Sequence, residues 1–135
     1  MFWNSTKPGT AILLVDDEKL MHMLLEGAIE PLKYPTLSAF NGEEALKLAE
    51  SRLPVLILLD IMMPKMNGVE TLTRLKANVV TKNIPVLMLS ALERTKDVEK
   101  ALLAGAVGYI VKPFSVERIR GKILEAIKIH GAQPS

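Results

Sequence analysis

The feature that most constrains this chain is an alternation, repeated five times, of a short run rich in Val, Ile and Leu with a longer stretch of helical period. Such runs suit parallel strands buried on both faces, and the stretches between them are long enough to cross back over a sheet as helices. The strands are placed at Ala11 to Asp16, Thr36 to Phe40, Val55 to Leu59, Pro85 to Leu89 and Gly108 to Val111. Helices are predicted at Lys19 to Glu30, Glu43 to Arg52, from Asn67-Gly68 to about Asn78, Lys96 to Leu103, and Ser115 to about His130. Pro31 stops the first and Gly105 caps the fourth. On the first helix Leu20, Met21, Leu24, Leu25 and Ala28 are read as the inward face, with His22 beside Lys19 and Glu26 in solvent. Ala45, Leu46, Leu48 and Ala49 face inward on the second, and Val69, Leu72 and Leu75 on the third. Right-handed crossovers between parallel neighbours then give an open α/β sheet with helices on both faces.

Composition agrees with one such unit. The chain has 135 residues, 49% hydrophobic and 24% charged, which supports one core and no second domain. The folded domain is expected over 11–130, between an extension at 1–10 and a tail at 131–135. A net charge of +2 without a dense Lys/Arg block gives no reason to expect direct nucleic-acid or membrane binding. With no cysteine there is no disulfide framework, thiolate metal site or cysteine nucleophile. The first ten residues lack the apolar core of a secretory signal, and no run nears the roughly 20 apolar residues of a bilayer span. A soluble protein is expected, and a cytoplasmic location is compatible.

In an open parallel sheet, function collects at the carboxyl ends of the strands. There the chain places Asp16 and Asp17 after the first strand, Asp60 after the third, Ser90 after the fourth and Lys112 after the fifth. Clustered carboxylates stay ionised only if a cation or hydrogen-bond donors offset them. Mg²⁺ suits two or three acids plus a backbone carbonyl, and the absence of histidine from these loops argues against zinc. Such a site polarises a transferring phosphoryl group while Lys112 neutralises another of its oxygens, leaving Asp60 to attack as a nucleophile. Each residue alone has a plainer reading: Asp17 as a helix cap, Asp60 as a turn acid, Ser90 as a local hydrogen-bonder, Lys112 as a surface lysine. Their convergence on one edge favours the joint reading.

From about Ala11 to His130 the chain resembles the receiver domains of two-component response regulators. The resemblance rests on Val15-Asp16-Asp17-Glu18, Leu59-Asp60-Ile61-Met62-Met63-Pro64 with Asn67-Gly68, Leu89-Ser90-Ala91, Gly105-Ala106, and Tyr109 ahead of Lys112-Pro113-Phe114. It implies a flavodoxin-like, doubly wound (βα)5 fold with strand order 2-1-3-4-5. It also implies that Asp60 is the phosphoacceptor, that Asp17 and Asp60 bind Mg²⁺ directly, that Asp16 acts chiefly through water, and that Met62 contributes its carbonyl. Ser90 and Lys112 would hold the phosphoryl group. Ser90 and Tyr109 would form a switch that alters the surface of helix 4, strand 5 and helix 5, although Tyr109 also reads as an ordinary half-buried strand aromatic. The Lys112-Pro113 peptide is expected to be cis, and Gly68 reads either as permitting the turn that packs the loop after Asp60 or as a plain helix-start glycine.

The implied donor is a histidine kinase or histidine phosphotransfer protein, with a downstream protein as output and a monomer or phosphorylation-dependent dimer as the working form. No separate substrate is expected, although the domain would promote its own phosphorylation and dephosphorylation. Met62 and Leu92 stand where the family tunes water access, and neither side chain positions a water, so slow self-dephosphorylation is expected. Met23 and Gly27 read either as part of a kinase-docking patch or as scattered surface residues, and His130 as solvated. Three rival functions fit less well. A haloacid-dehalogenase-like phosphatase needs an acid where Met62 stands, and a flavin binder needs a phosphate cradle where Asp16-Asp17-Glu18 stand. A non-phosphorylated binding module would not need the intact set. The chain reads as a stand-alone receiver, with one excised from a longer regulator or hybrid kinase as the alternative.

Overall fold

A computed structural model of the chain describes residues 7–91 and 95–130. The elements run β1 (Ile12–Val15), α1 (Lys19–Ile29), β2 (Thr36–Ala39), α2 (Gly42–Arg52), β3 (Leu56–Asp60), α3 (Gly68–Ala77), β4 (Val86–Ala91), α4 (Thr95–Leu103), β5 (Gly108–Lys112) and α5 (Val116–His130). All strand pairs are parallel and the sheet order is β2-β1-β3-β4-β5. This is the flavodoxin-like arrangement expected from the sequence.

Period-two alternation along the strands builds two cores. Ile12, Leu14, Leu56, Leu58, Leu87, Leu89 and Ile110 face Leu25, Ala28 and Ile29 of α1 and Ile119, Ile123 and Ala126 of α5. Leu13, Val15, Ile57, Leu59, Val86 and Met88 face the other way, onto Ala45 and Ala49 of α2, Leu72 and Leu75 of α3, and Val98 and Ala101 of α4. Central β3 is buried along its whole length, which is why its apolar run has no polar alternation.

Helix starts follow the turn residues. Asn41 caps α2 by accepting the Glu44 amide at 2.9 Å, and the Glu44 side chain accepts the Phe40 amide at 2.8 Å. Asn67 caps α3 by accepting the Glu70 amide at 2.9 Å, and Ser115 accepts the Arg118 amide at the start of α5. Gly105 ends α4 with φ of 113°, a left-handed conformation that favours glycine.

The predicted face of α1 is rotated from the real one. Leu20 is 78% exposed and Leu24 47%, whereas His22 is 2% exposed. The helix seats Leu25, Ala28 and Ile29 inward, and His22, seven residues before Ile29, lies about two turns along the same stripe. Burial of a histidine is tolerable here because both ring nitrogens find partners: Nδ1 lies 3.0 Å from Ser38 Oγ and Nε2 lies 2.7 Å from the Asp16 carbonyl.

Candidate functional site

The ladder around β1 reaches its end where the Asp16 amide donates to the Ala39 carbonyl, and the edge of β3 is marked by the Ile61 amide donating to Leu89. Because every strand points the same way, the residues that follow these ends share one edge. One carboxylate oxygen from each of Asp16, Asp17 and Asp60 lies within 4.8 Å of the other two. Asp16 and Asp60 are buried while Asp17 is exposed. Lys112 enters from β5, its Nζ donating to Asp60 Oδ1 at 3.0 Å and lying 3.7 Å from Asp16 Oδ2.

The acids are imperfectly compensated. The Glu18 amide donates to Asp16 Oδ1 at 2.9 Å, but Asp16 Oδ2 is buried with no hydrogen-bond partner. Burial pushes the Asp16 carboxyl above its usual 3.8 against the Glu18 amide and Lys112, and the charges of Asp17 and Glu18 add to the rise. Asp60 is pushed from 3.8 to about 6, first by burial, with Lys112 opposing and the Asp16 charge adding to the rise. Loss of hydration therefore outweighs a direct ion pair at the same carboxylate. An orphaned buried carboxylate oxygen among three acids suits a hard, oxygen-seeking cation, so the residues fit Mg²⁺.

The loop after β3 is held by close backbone packing. The Gly68 amide donates to the Ile61 carbonyl at 2.8 Å, and a Cβ at Gly68 would meet the Asp60 carbonyl and lie 2.7 Å from Ile61 Cα. Close approach, not a left-handed φ, is what requires glycine here. Met62, next after Ile61, is 48% exposed. Buried Ser90 donates to the Ala91 carbonyl at 2.9 Å, and Tyr109 on β5 is 39% exposed. The Lys112-Pro113 peptide is cis, as the resemblance implied.

Asp16, Asp17, Asp60, Ser90 and Lys112 thus share the edge that the sequence assigned to them, and Leu92 falls outside the described residues. His130 is exposed as expected, as is Met23, and a Cβ at Gly27 would meet nothing within 4 Å. Sequence reasoning missed His22, which touches the peptide between the two adjacent acids. Its seven-residue spacing to Ile29 was the available signal. No described helix is long and apolar enough to cross a membrane.

A family profile for the response regulator receiver domain matches residues 12–124. The alkaline phosphatase synthesis transcriptional regulatory protein PhoP of Bacillus subtilis is 39% identical over 112 residues, covering 83% of this chain and 46% of that protein. A histidine kinase of Formosa agariphila is 37% identical over 117 residues, covering 87% of this chain and 8% of the kinase. The chain spans about half the length of the curated transcriptional regulators that it matches. Among solved structures, the receiver domain of NtrX from Brucella abortus is 29% identical with a TM-score of 0.81, covering 87% of this chain and 98% of that one. The signal receiver domain of a histidine kinase from Syntrophus aciditrophicus is 28% identical with a TM-score of 0.83, covering 93% of this chain and 96% of that one.

Proposed function

The chain belongs to the response regulator receiver domain family, and from that premise we propose that it takes a phosphoryl group from a histidine kinase or histidine phosphotransfer protein onto Asp60. The observation that carries the reading is the meeting of Asp16, Asp17 and Asp60 within 4.8 Å, with Lys112 bonded to Asp60. Asp16, Asp17, Asp60 and the Met62 carbonyl would hold Mg²⁺, with Asp16 acting chiefly through water. Bound there, Mg²⁺ supplies positive charge that keeps the acids ionised and offsets charge on the transferring group.

The chain's own residues do the rest. A carboxylate oxygen of Asp60 attacks phosphorus as the P–N bond to the donor imidazole breaks, giving an aspartyl phosphate and a histidine that regains its proton. Lys112 then exchanges its bond with the Asp60 carboxylate for one with a phosphoryl oxygen, and Ser90 gives up the Ala91 carbonyl to donate to another. Tyr109, half in solvent in this structure, turns inward behind Ser90, so that charge at Asp60 alters the α4, β5 and α5 surface read by a downstream protein. The domain acts on itself and not on a separate substrate, over residues 11–130, in the cytoplasm. With Met62 unable to orient a water, the phosphoryl group should persist for minutes or longer, and its loss within seconds in a time course would contradict this.

The decisive experiment is a Mg²⁺-dependent mass increase with acetyl phosphate, followed by phosphotransfer profiling against histidine kinases. Asp60→Asn should abolish both. Specific labelling that survives in Asp60→Asn overturns the assignment, and no labelling of the unaltered chain from any donor favours a non-phosphorylated binding module.

A further inference from the structure

We infer that His22 is a positioning residue for the acidic site, holding the peptide between Asp16 and Asp17 so that the two carboxylates are set for a divalent cation; this rests on the Mg²⁺ reading above. That peptide lies just past the end of β1, where the strand ladder stops fixing it. Its carbonyl instead receives a bond from His22 Nε2 at 2.7 Å. A carbonyl oxygen only accepts, so Nε2 carries the hydrogen, and Nδ1 of the neutral ring accepts from the Ser38 hydroxyl at 3.0 Å. The Asp16 carbonyl thereby fixes the tautomer, and the Ser38 hydroxyl, able to donate or accept, satisfies the other ring nitrogen. The ring is clamped further by Phe40, with centroids 4.2 Å apart.

An apolar side chain would satisfy the packing of this stripe without polar partners. What the imidazole adds is directional contact with one backbone oxygen. Rotation of the Asp16–Asp17 peptide swings the Cα of Asp17, and with it the exposed carboxylate, relative to Asp60. The histidine on α1 and the serine on β2 brace that peptide from behind. They support the donors of the cation without touching it, as outer partners of metal ligands commonly do.

Two variants and one spectrum test this on the full chain. His22→Phe keeps a ring of similar size on Phe40 but removes the N–H, whereas His22→Gln places an amide N–H at similar reach. Calorimetric titration with Mg²⁺ should show His22→Phe binding about 10-fold more weakly than the unaltered chain, with His22→Gln recovering most of that loss whatever the two melting temperatures. Equal Mg²⁺ affinity in His22→Phe and the unaltered chain overturns the inference and leaves the Mg²⁺ reading standing. Equal weakening in both variants also overturns it, because it assigns the effect to packing. Absence of Mg²⁺ binding by the unaltered chain removes both readings. If His22→Phe does not fold, the ¹⁵N spectrum of the unaltered chain decides: an Nε2–H tautomer at neutral pH supports the bond to Asp16, and an Nδ1–H tautomer refutes it.

Discussion

The interior of the sheet and its carboxyl edge are made from the same strands yet obey opposite physics. In β3, Leu56 to Leu59 are fully buried and apolar, and each such side chain favours the folded state by about 1.5–3 kcal/mol. One residue later Asp60 is almost as buried but carries a carboxylate whose ionisation burial opposes. The interior supplies stability and the edge gives some of it up. On the proposed reading, a site that takes a cation and a phosphoryl group holds charge that is incompletely compensated in their absence, and the well-packed interior offsets that cost.

The strongest test of this contrast is Leu58→Ala, expected to lower unfolding free energy by about 3 kcal/mol through a cavity between the sheet and the α1 and α5 helices. Denaturant melts should show it, with Mg²⁺ affinity of the folded protein little changed. Gly68→Ala stands at the boundary between the two regions. A methyl pressed onto the Asp60 carbonyl and Ile61 Cα should cost about 2 kcal/mol and should also slow phosphorylation, because the loop bearing Met62 must shift.

At the edge the sign reverses. Asp60→Asn should stabilise the metal-free chain at pH 7: the rise to about 6 corresponds to at most about 3 kcal/mol, which solvent at the open edge reduces to about 1 kcal/mol. Between 3.8 and about 6 the folded chain holds a proton on Asp60 that the unfolded chain has released. Its contribution to metal-free stability therefore grows as pH falls through 6 and is lost as pH rises through it. Melts across pH 5 to 7 should show a slope that Asp60→Asn reduces, and an unchanged slope would mean that Asp60 is not the group responsible. The smallest effect belongs to Asn41→Ala, which removes the α2 cap without removing a charge and should cost about 0.5–1 kcal/mol at every pH in that range.

The two regions were also unequally legible in the sequence. Strands were readable because a fully buried parallel strand is a continuous apolar run, and the acids, Ser90 and Lys112 because each interrupts or ends such a run. The face of α1 was harder to read, since Leu20, Met21, Met23, Leu24, Leu25, Ala28 and Ile29 allow more than one apolar stripe at helical period. His22 was assigned to solvent for the same reason. Its partners are a backbone carbonyl and a serine on β2, 16 residues away, neither of which leaves a mark in local periodicity. Gly68 read in the sequence as a turn or helix-start glycine, and the contact with the Asp60 backbone that requires it emerges only in three dimensions.

The bond between Lys112 and Asp60 joins residues 52 apart, and the lysine sits on the last strand at the sheet's far side. β4 lies between β3 and β5, so this contact depends on all three strands being paired in register. Collapse of β1, β2 and β3 alone would gather the acids without their cation. Under the proposed reading, a copy in which β5 has not docked would hold the three acids without Lys112 and should not be labelled, so a complete sheet is itself a condition for phosphorylation.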